Sequence, residues 1–165
     1  MRGWVLAGGA STRFGSDKAS FLVDGVPLAV RTARVLEAGG CAPVTVIGRH
    51  RRALVGVDEE IEPEGPRHPL WGVAEALRHG DAFVAPCDLP DLTPAIVAAL
   101  RIARARAAGQ PLLGVFPAAL RPRCLLLARA GSPVRALADE PSGAATLDVG
   151  PLINLNRPGR AAGGR

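Results

Sequence analysis

Short apolar runs alternate along the chain with amphipathic stretches. Trp4–Ala7, Val44–Ile47, Phe83–Ala85, Leu112–Phe116 and Cys124–Leu127 are apolar runs of strand length. Helix patterns fall between several of them. Leu28–Ala38 sets Leu28, Thr32, Val35 and Leu36 near one face and stops at Gly39-Gly40. Trp71–Arg78 puts Val73, Ala74 and Leu77 on one face. A third helix, Pro94–Ala108, follows the N-cap residue Thr93 and has Pro94 at its first position. Its expected apolar stripe is Ile96, Ala99, Leu100 and Ala103, and Gly109 is its expected stop. This alternation predicts a three-layer α/β domain with a mostly parallel sheet. Ligands of such sheets bind beyond the carboxyl ends of the strands. Residues 1–159 read as one domain, and the small, charged, glycine-rich residues 160–165 as a frayed tail.

Composition narrows the function classes. The chain has 165 residues, no apolar run near the ~20 of a membrane span, and no basic-then-apolar leader before the first strand. A cytoplasmic protein without membrane contact is expected. Cys41, Cys87 and Cys124 lie far apart with no C-x-x-C spacing, which argues against a zinc site or a disulfide framework. A net charge of +5 and a pI of about 10.4 favour anionic ligands. The basic residues are scattered, however, and two Trp, four Phe and no Tyr are too few for a base-stacking platform. A phosphorylated small molecule therefore fits better than nucleic acid. Among 20 basic side chains only Lys18 is a lysine. A compact ammonium serves a crowded phosphate differently from a planar guanidinium.

Three stretches carry candidate chemistry. In "WVLAGGASTRFGSDKAS", residues 4–20, an apolar run enters Gly8 and Gly9, whose amides can approach a ligand closely. Ser11 and Thr12 add hydroxyls, successive N–H groups can cradle an anion, and Arg13 and Lys18 bring positive charge. In "FVAPCDLPDL", residues 83–92, Asp88 stands just past a strand end between Pro86 and Pro90. A carboxylate there can hold Mg²⁺, or cap a turn. In "PLINLNRPG", Asn154 and Asn156 are spaced to share a strand face, where they could meet a metal or phosphate-bound water, or serve turn chemistry.

Together these pieces resemble the molybdenum cofactor guanylyltransferases, the MobA-type nucleotidyltransferases. "LAGGASTRFGSDK" matches L-A-G-G-x-S-x-R-x-G-x-D-K, "DGVPLAVRTARVL" is similar to the helix that follows it, and "PCDLP" and "INLNRP" are similar to C-D-x-P and N-x-N-x-P. The resemblance spans about residues 3–158. It implies a Rossmann-like nucleotidyltransferase fold using GTP and Mg²⁺. Leu6, Ala7, Gly8, Gly9 and Ser11 would line the nucleotide, Arg13 and Lys18 would hold the triphosphate, and Asp88 would bind the metal. Gly48 stands where the family commonly has a base-contacting Asn. Glu64 would stand in for an acidic nucleotide contact, Trp71 replaces the Ala of P-L-A-G, and Arg121 lies near the implied acceptor site.

The implied reaction transfers GMP from GTP to the phosphate of molybdopterin, releasing pyrophosphate. A phosphate attacker is already anionic, so no general base is needed, and alignment with charge neutralisation suffices. The acceptor is a molybdopterin-type phosphate, with transient contact to proteins that deliver or receive the cofactor. The alternatives are a related transferase using CTP or another phosphorylated acceptor, and a non-catalytic nucleotide-binding module. Cytidylyl relatives tend to read L-A-A-G, and a side chain in place of Gly8 should crowd a purine.

Overall fold

The computed structural model describes residues 1–8, 17–137 and 145–153. In chain order its elements are β1 (Arg2–Leu6), β2 (Leu22–Val23), β3 (Val26–Pro27), α1 (Leu28–Ala38), β4 (Val44–Gly48), β5 (Asp58–Ile61), α2 (Leu70–Ala76), β6 (Ala82–Pro86), α3 (Pro94–Ile102), β7 (Arg106–Ala107), β8 (Gly114–Phe116), α4 (Arg121–Arg129) and β9 (Thr146–Leu147). Among the described residues, seven strands pair in the order β5-β4-β1-β6-β8-β7-β9. The β5-β4-β1-β6 half is parallel throughout, and β8 runs antiparallel to β6 and β7.

Alternation within the central strands makes the layers. Trp4 and Leu6 of β1, with Ala82 and Val84 of β6, pack into one core with α2 and α4. Val5 and Ala7, with Phe83 and Ala85, pack into the other core with α1 and α3. Successive strand side chains point to opposite faces, so helices on both sides require strands that are apolar throughout. The expected three-layer, mostly parallel α/β fold is the one observed, and α1 spans the expected residues.

Two expected elements differ. Cys124–Leu127 is not a strand but the middle of α4. A four-residue apolar run cannot distinguish the two by itself. The deciding pattern is the buried set Cys124, Leu127 and Ala128, spaced as one helical face, while Leu126 is exposed. The helix expected over Pro94–Ala108 ends at Ile102, and Arg104 takes a left-handed φ of 49° that turns the chain into β7. Of the expected stripe Leu100 is buried and Ile96 half-buried, but Ala99 and Ala103 are exposed and Val97 completes the buried face. Gly39 explains the rotation. A Cβ there would lie 2.5 Å from Val97 Cβ, so the bare glycine lets α3 set Val97 against the end of α1.

The start of α3 is as expected. Thr93 Oγ1 accepts from Ile96 N at 3.4 Å, with Pro94 in the first turn. Because that bond is long, Thr93→Ala is expected to cost only ~0.5–1 kcal/mol. Urea unfolding should show a lower midpoint with an unchanged slope.

Candidate active site

The carboxyl ends of four parallel strands come level at one edge of the sheet. Pairing continues just past them. Ala7 N donates to Ile47 O at 2.7 Å, Cys87 N to Leu6 O at 3.2 Å, and Glu62 N to Gly48 O at 2.9 Å. Ala7-Gly8, Gly48, Glu62 and Cys87-Asp88 therefore stand side by side where an open α/β sheet offers its ligand crevice.

Lys18 opens a single 3₁₀ turn, Lys18–Ser20, and its Nζ lies 3.0 Å from Asp88 Oδ2. The two side chains are 17% and 18% exposed, so the pair is largely shielded yet open to a ligand. Seventy positions separate them in the chain. Beside them, burial and then the neighbouring Asp88 charge push the Cys87 thiol up to about 12, which leaves it a packing residue.

On the other side of β1, Gly8 lies against a carboxylate. A Cβ on Gly8 would stand 2.6 Å from Glu62 Oε2. Glu62 is buried, and Arg49 Nε donates to its Oε1 at 3.0 Å. Burial raises the Glu62 pKa, with Arg49 and Arg52 opposing that rise. Arg49 also donates through Nη2 to Gly65 O. Trp71 is buried and its Nε1 donates to Pro66 O at 2.8 Å, so the bulky residue of P-L-W-G pins the loop that follows Glu62. Glu64 is exposed, and the carboxylate lying against Gly8 is Glu62.

Leu6, Ala7, Gly8, Gly48, Lys18 and Asp88 are thus gathered at one edge. Arg121 heads α4, where its Nε donates to Ala74 O of α2 at 3.1 Å. Gly9, Ser11, Arg13, Asn154 and Asn156 lie outside the described residues. Asp17 is the fixed Asp of the L-A-G-G-x-S-x-R-x-G-x-D-K motif, whereas Glu62, Arg49 and Arg52 also line this edge although the sequence reading did not single them out. The available signal was "GRHRR", a basic run directly after an apolar strand, followed by an acidic residue just past the next strand.

A second polar cluster is formed by β5, α2 and the turn after α2. Ligand atoms of Glu60, Glu75 and His79 fall within 4.8 Å of one another, and the His79 ring stacks on Trp4 at 5.2 Å. Arg78 Nη2 already bridges the two carboxylates, at 3.3 Å from Glu60 Oε1 and 2.8 Å from Glu75 Oε1. The guanidinium supplies the positive charge that this group calls for, so the cluster reads as an ion-pair network.

Comparison with known proteins agrees with this geometry. Residues 3–147 match the MobA-like NTP transferase domain. A probable molybdenum cofactor guanylyltransferase of Synechococcus elongatus is 35% identical over 141 residues, covering 72% of each chain. The molybdenum cofactor guanylyltransferase of Burkholderia vietnamiensis is 36% identical over 116 residues, 62% of this chain and 56% of its own. Among solved structures, molybdopterin-guanine dinucleotide biosynthesis protein A of Archaeoglobus fulgidus superposes with a TM-score of 0.70 at 17% identity, over 90% of this chain and 84% of its own. The 2-C-methyl-D-erythritol 4-phosphate cytidylyltransferase of Thermus thermophilus superposes at 0.62 and 17% identity, over 90% and 89%. At such identities the superpositions speak for the shared Rossmann-like fold. The domain match and the relatives of similar sequence go further: the chain belongs to the MobA-like NTP transferase family and is a nucleotidyltransferase.

Proposed function

We propose that the enzyme transfers GMP from GTP to the terminal phosphate of a molybdopterin-type acceptor, releasing pyrophosphate. The observation that carries this reading is the Lys18–Asp88 pair, a shielded ammonium and carboxylate 3.0 Å apart at the crevice edge. A pure binding module has little use for a carboxylate beside its phosphate-binding lysine. The names of the curated relatives supply the acceptor.

In this reading Lys18, with Arg13, neutralises the phosphates of the bound nucleotide and the departing pyrophosphate. Ala7 and Gly8 line the nucleotide, with Gly9 and Ser11 following in the same segment. Glu62 offers carboxylate oxygens beside Gly8, and guanine presents two adjacent N–H groups that such an acceptor can take. This assigns to Glu62 the acidic contact first expected of Glu64. Gly48 stays on the nucleotide side, while Arg121 at the head of α4, Asn154 and Asn156 are assigned to the acceptor or metal side.

Asp88 fits a divalent cation, because Mg²⁺ favours one or two carboxylates plus substrate phosphates. Its carboxylate is partly open and already faces a positive charge. When bound there, Mg²⁺ would supply charge neutralisation for phosphate oxygens. No general base is needed for a phosphate nucleophile, and the described residues around Asp88 offer a buried thiol of high pKa rather than a nucleophile.

The test is pyrophosphate release from GTP with molybdopterin as acceptor. GTP with Mg²⁺ is also expected to raise the melting temperature more than CTP, UTP or ATP with Mg²⁺. Selective stabilisation by CTP would overturn the donor, and a response to no nucleotide would overturn the enzyme reading.

A further inference from the structure

The Arg52 side chain is only 4% exposed, yet it lies on the connection after β4, where most arginines reach into water. Its guanidinium is satisfied from several directions. Nη2 donates to Ala7 O at 2.8 Å and to Asp17 Oδ1 at 3.1 Å, Nε donates to Asp17 Oδ2, and Nη1 donates to His50 O at 3.1 Å. Its backbone N donates to Glu59 Oε1 at 2.8 Å, which fixes where the side chain starts. Four of the five guanidinium N–H groups are thereby accounted for.

The acceptors have a common meaning. Ala7 is where the chain leaves β1, and Asp17 is the residue before Lys18. We infer that Arg52 is a positioning residue for Lys18, fastening the two ends of the β1–Lys18 connection to each other. It touches neither Lys18 nor Asp88 in the described bonds, and acts through Asp17. Burial tends to raise the Asp17 pKa, but hydrogen bonds from Arg52 and Ser20 and the Arg52 charge outweigh it and hold the carboxyl below its ordinary value of 3.8.

Gly48 is the second half of the device. A Cβ there would stand 2.6 Å from Arg52 Nη1, and its other near neighbours, Ala7 C and Cβ, are at 3.4 Å. Space that a side chain at 48 would take is filled by the guanidinium. Gly48 is thus more than a lost side-chain contact, because its bareness admits Arg52 to the edge of the sheet. A planar fork suits this set, since Nε and Nη2 meet the two Asp17 oxygens side by side while Nη2 also reaches the Ala7 carbonyl.

The inference rests on the proposed reaction only where it speaks of GTP, so the test has two readouts. The first is amide hydrogen exchange over Asp17–Phe21, where Ser20 N donates to Asp17 O and Phe21 N to Lys18 O. Arg52→Ala should speed exchange there at least ~10-fold relative to α1 in the same protein, a local loosening that a purely global loss of stability would not give. Gly48→Ala, which keeps Arg52 but takes its space, should do the same, and Arg52→Lys should fall between. The second is kinetic. Arg52→Ala and Gly48→Ala should lower kcat about 10-fold, because a displaced Lys18 no longer faces the developing charge, with KM for GTP changed less than about threefold and Arg52→Lys recovering part of the loss. Unchanged exchange over Asp17–Phe21 in both variants overturns the inference whatever the reaction proves to be. Faster exchange in an enzyme whose wild type releases no pyrophosphate from GTP leaves the clamp standing and removes the proposed function.

Discussion

Lys18→Ala is expected to lower turnover by ~10²–10³-fold or more while the protein stays folded. The reasoning starts from charge. Phosphoryl-type transfer asks the protein mainly to align and neutralise, so the group that faces developing negative charge matters most. Lys18 is the sole lysine of the chain, and its ammonium sits 3.0 Å from Asp88. Stability should fall by only ~1–3 kcal/mol, the cost of leaving the largely shielded Asp88 carboxylate without this partner, which the fold should survive. Lys18→Arg should not rescue the rate. A planar fork spreads its charge and cannot replace a compact donor in the space beside Asp88. Asp88→Ala should lose turnover to a similar degree. The double variant should lose much less than the product of the two, since groups that act as a unit are not additive. Circular dichroism and a pyrophosphate-release assay decide the matter. Full activity in either purified single variant would sink the reading.

The fold was legible because its signal is repeated. Each central strand is apolar on both faces, and α1 carries both its stripe and its stop, so local pattern and tertiary demand coincide. The misread elements are those where that agreement fails. In α4 the apolar run is too short to show its period. In α3 the buried face is set by a contact, Val97 against Gly39, between positions far apart in the chain.

The site divides in the same way. Lys18 and Asp88 were legible separately, each as a residue type suited to phosphate or metal. Their meeting across the sheet edge follows from β1 and β6 being neighbours in register, from Arg2 beside Ala82 to Leu6 beside Pro86. Arg49 and Arg52 carried only the weak signal of a basic run after a strand, because arginine is the background cation of this chain and composition cannot distinguish a buried guanidinium from a solvated one. What separates them is the set of acceptors, Glu62 and Gly65 for Arg49, Ala7 and Asp17 for Arg52, and acceptors are assigned only by the fold.

Gly8→Ala should weaken the preference for GTP over CTP by ~10–10²-fold, the range expected for losing hydrogen bonds to a charged group. The sequence alone suggests that a side chain at position 8 obstructs the purine. The structure gives a different neighbour. The added Cβ would meet Glu62 Oε2 at 2.6 Å and Oε1 at 2.9 Å before anything else. The Glu62 carboxylate is not a loose tip that can swing aside, since Arg49 holds its Oε1 at 3.0 Å and is itself tied to Gly65 O. Relief therefore requires the acid to leave its place or the end of β1 to move, at ~1–3 kcal/mol of stability. A side chain at position 8 and a carboxylate at 62 exclude each other on this scaffold. The double variant Gly8→Ala/Glu62→Ala separates the two roles of the acid. It should recover most of the lost stability in urea unfolding, because the clash is gone, yet it should not recover the preference for GTP. If the double variant favours GTP over CTP as strongly as the wild type, Glu62 is not what reads the base, and Gly8 is bare only to make room for packing.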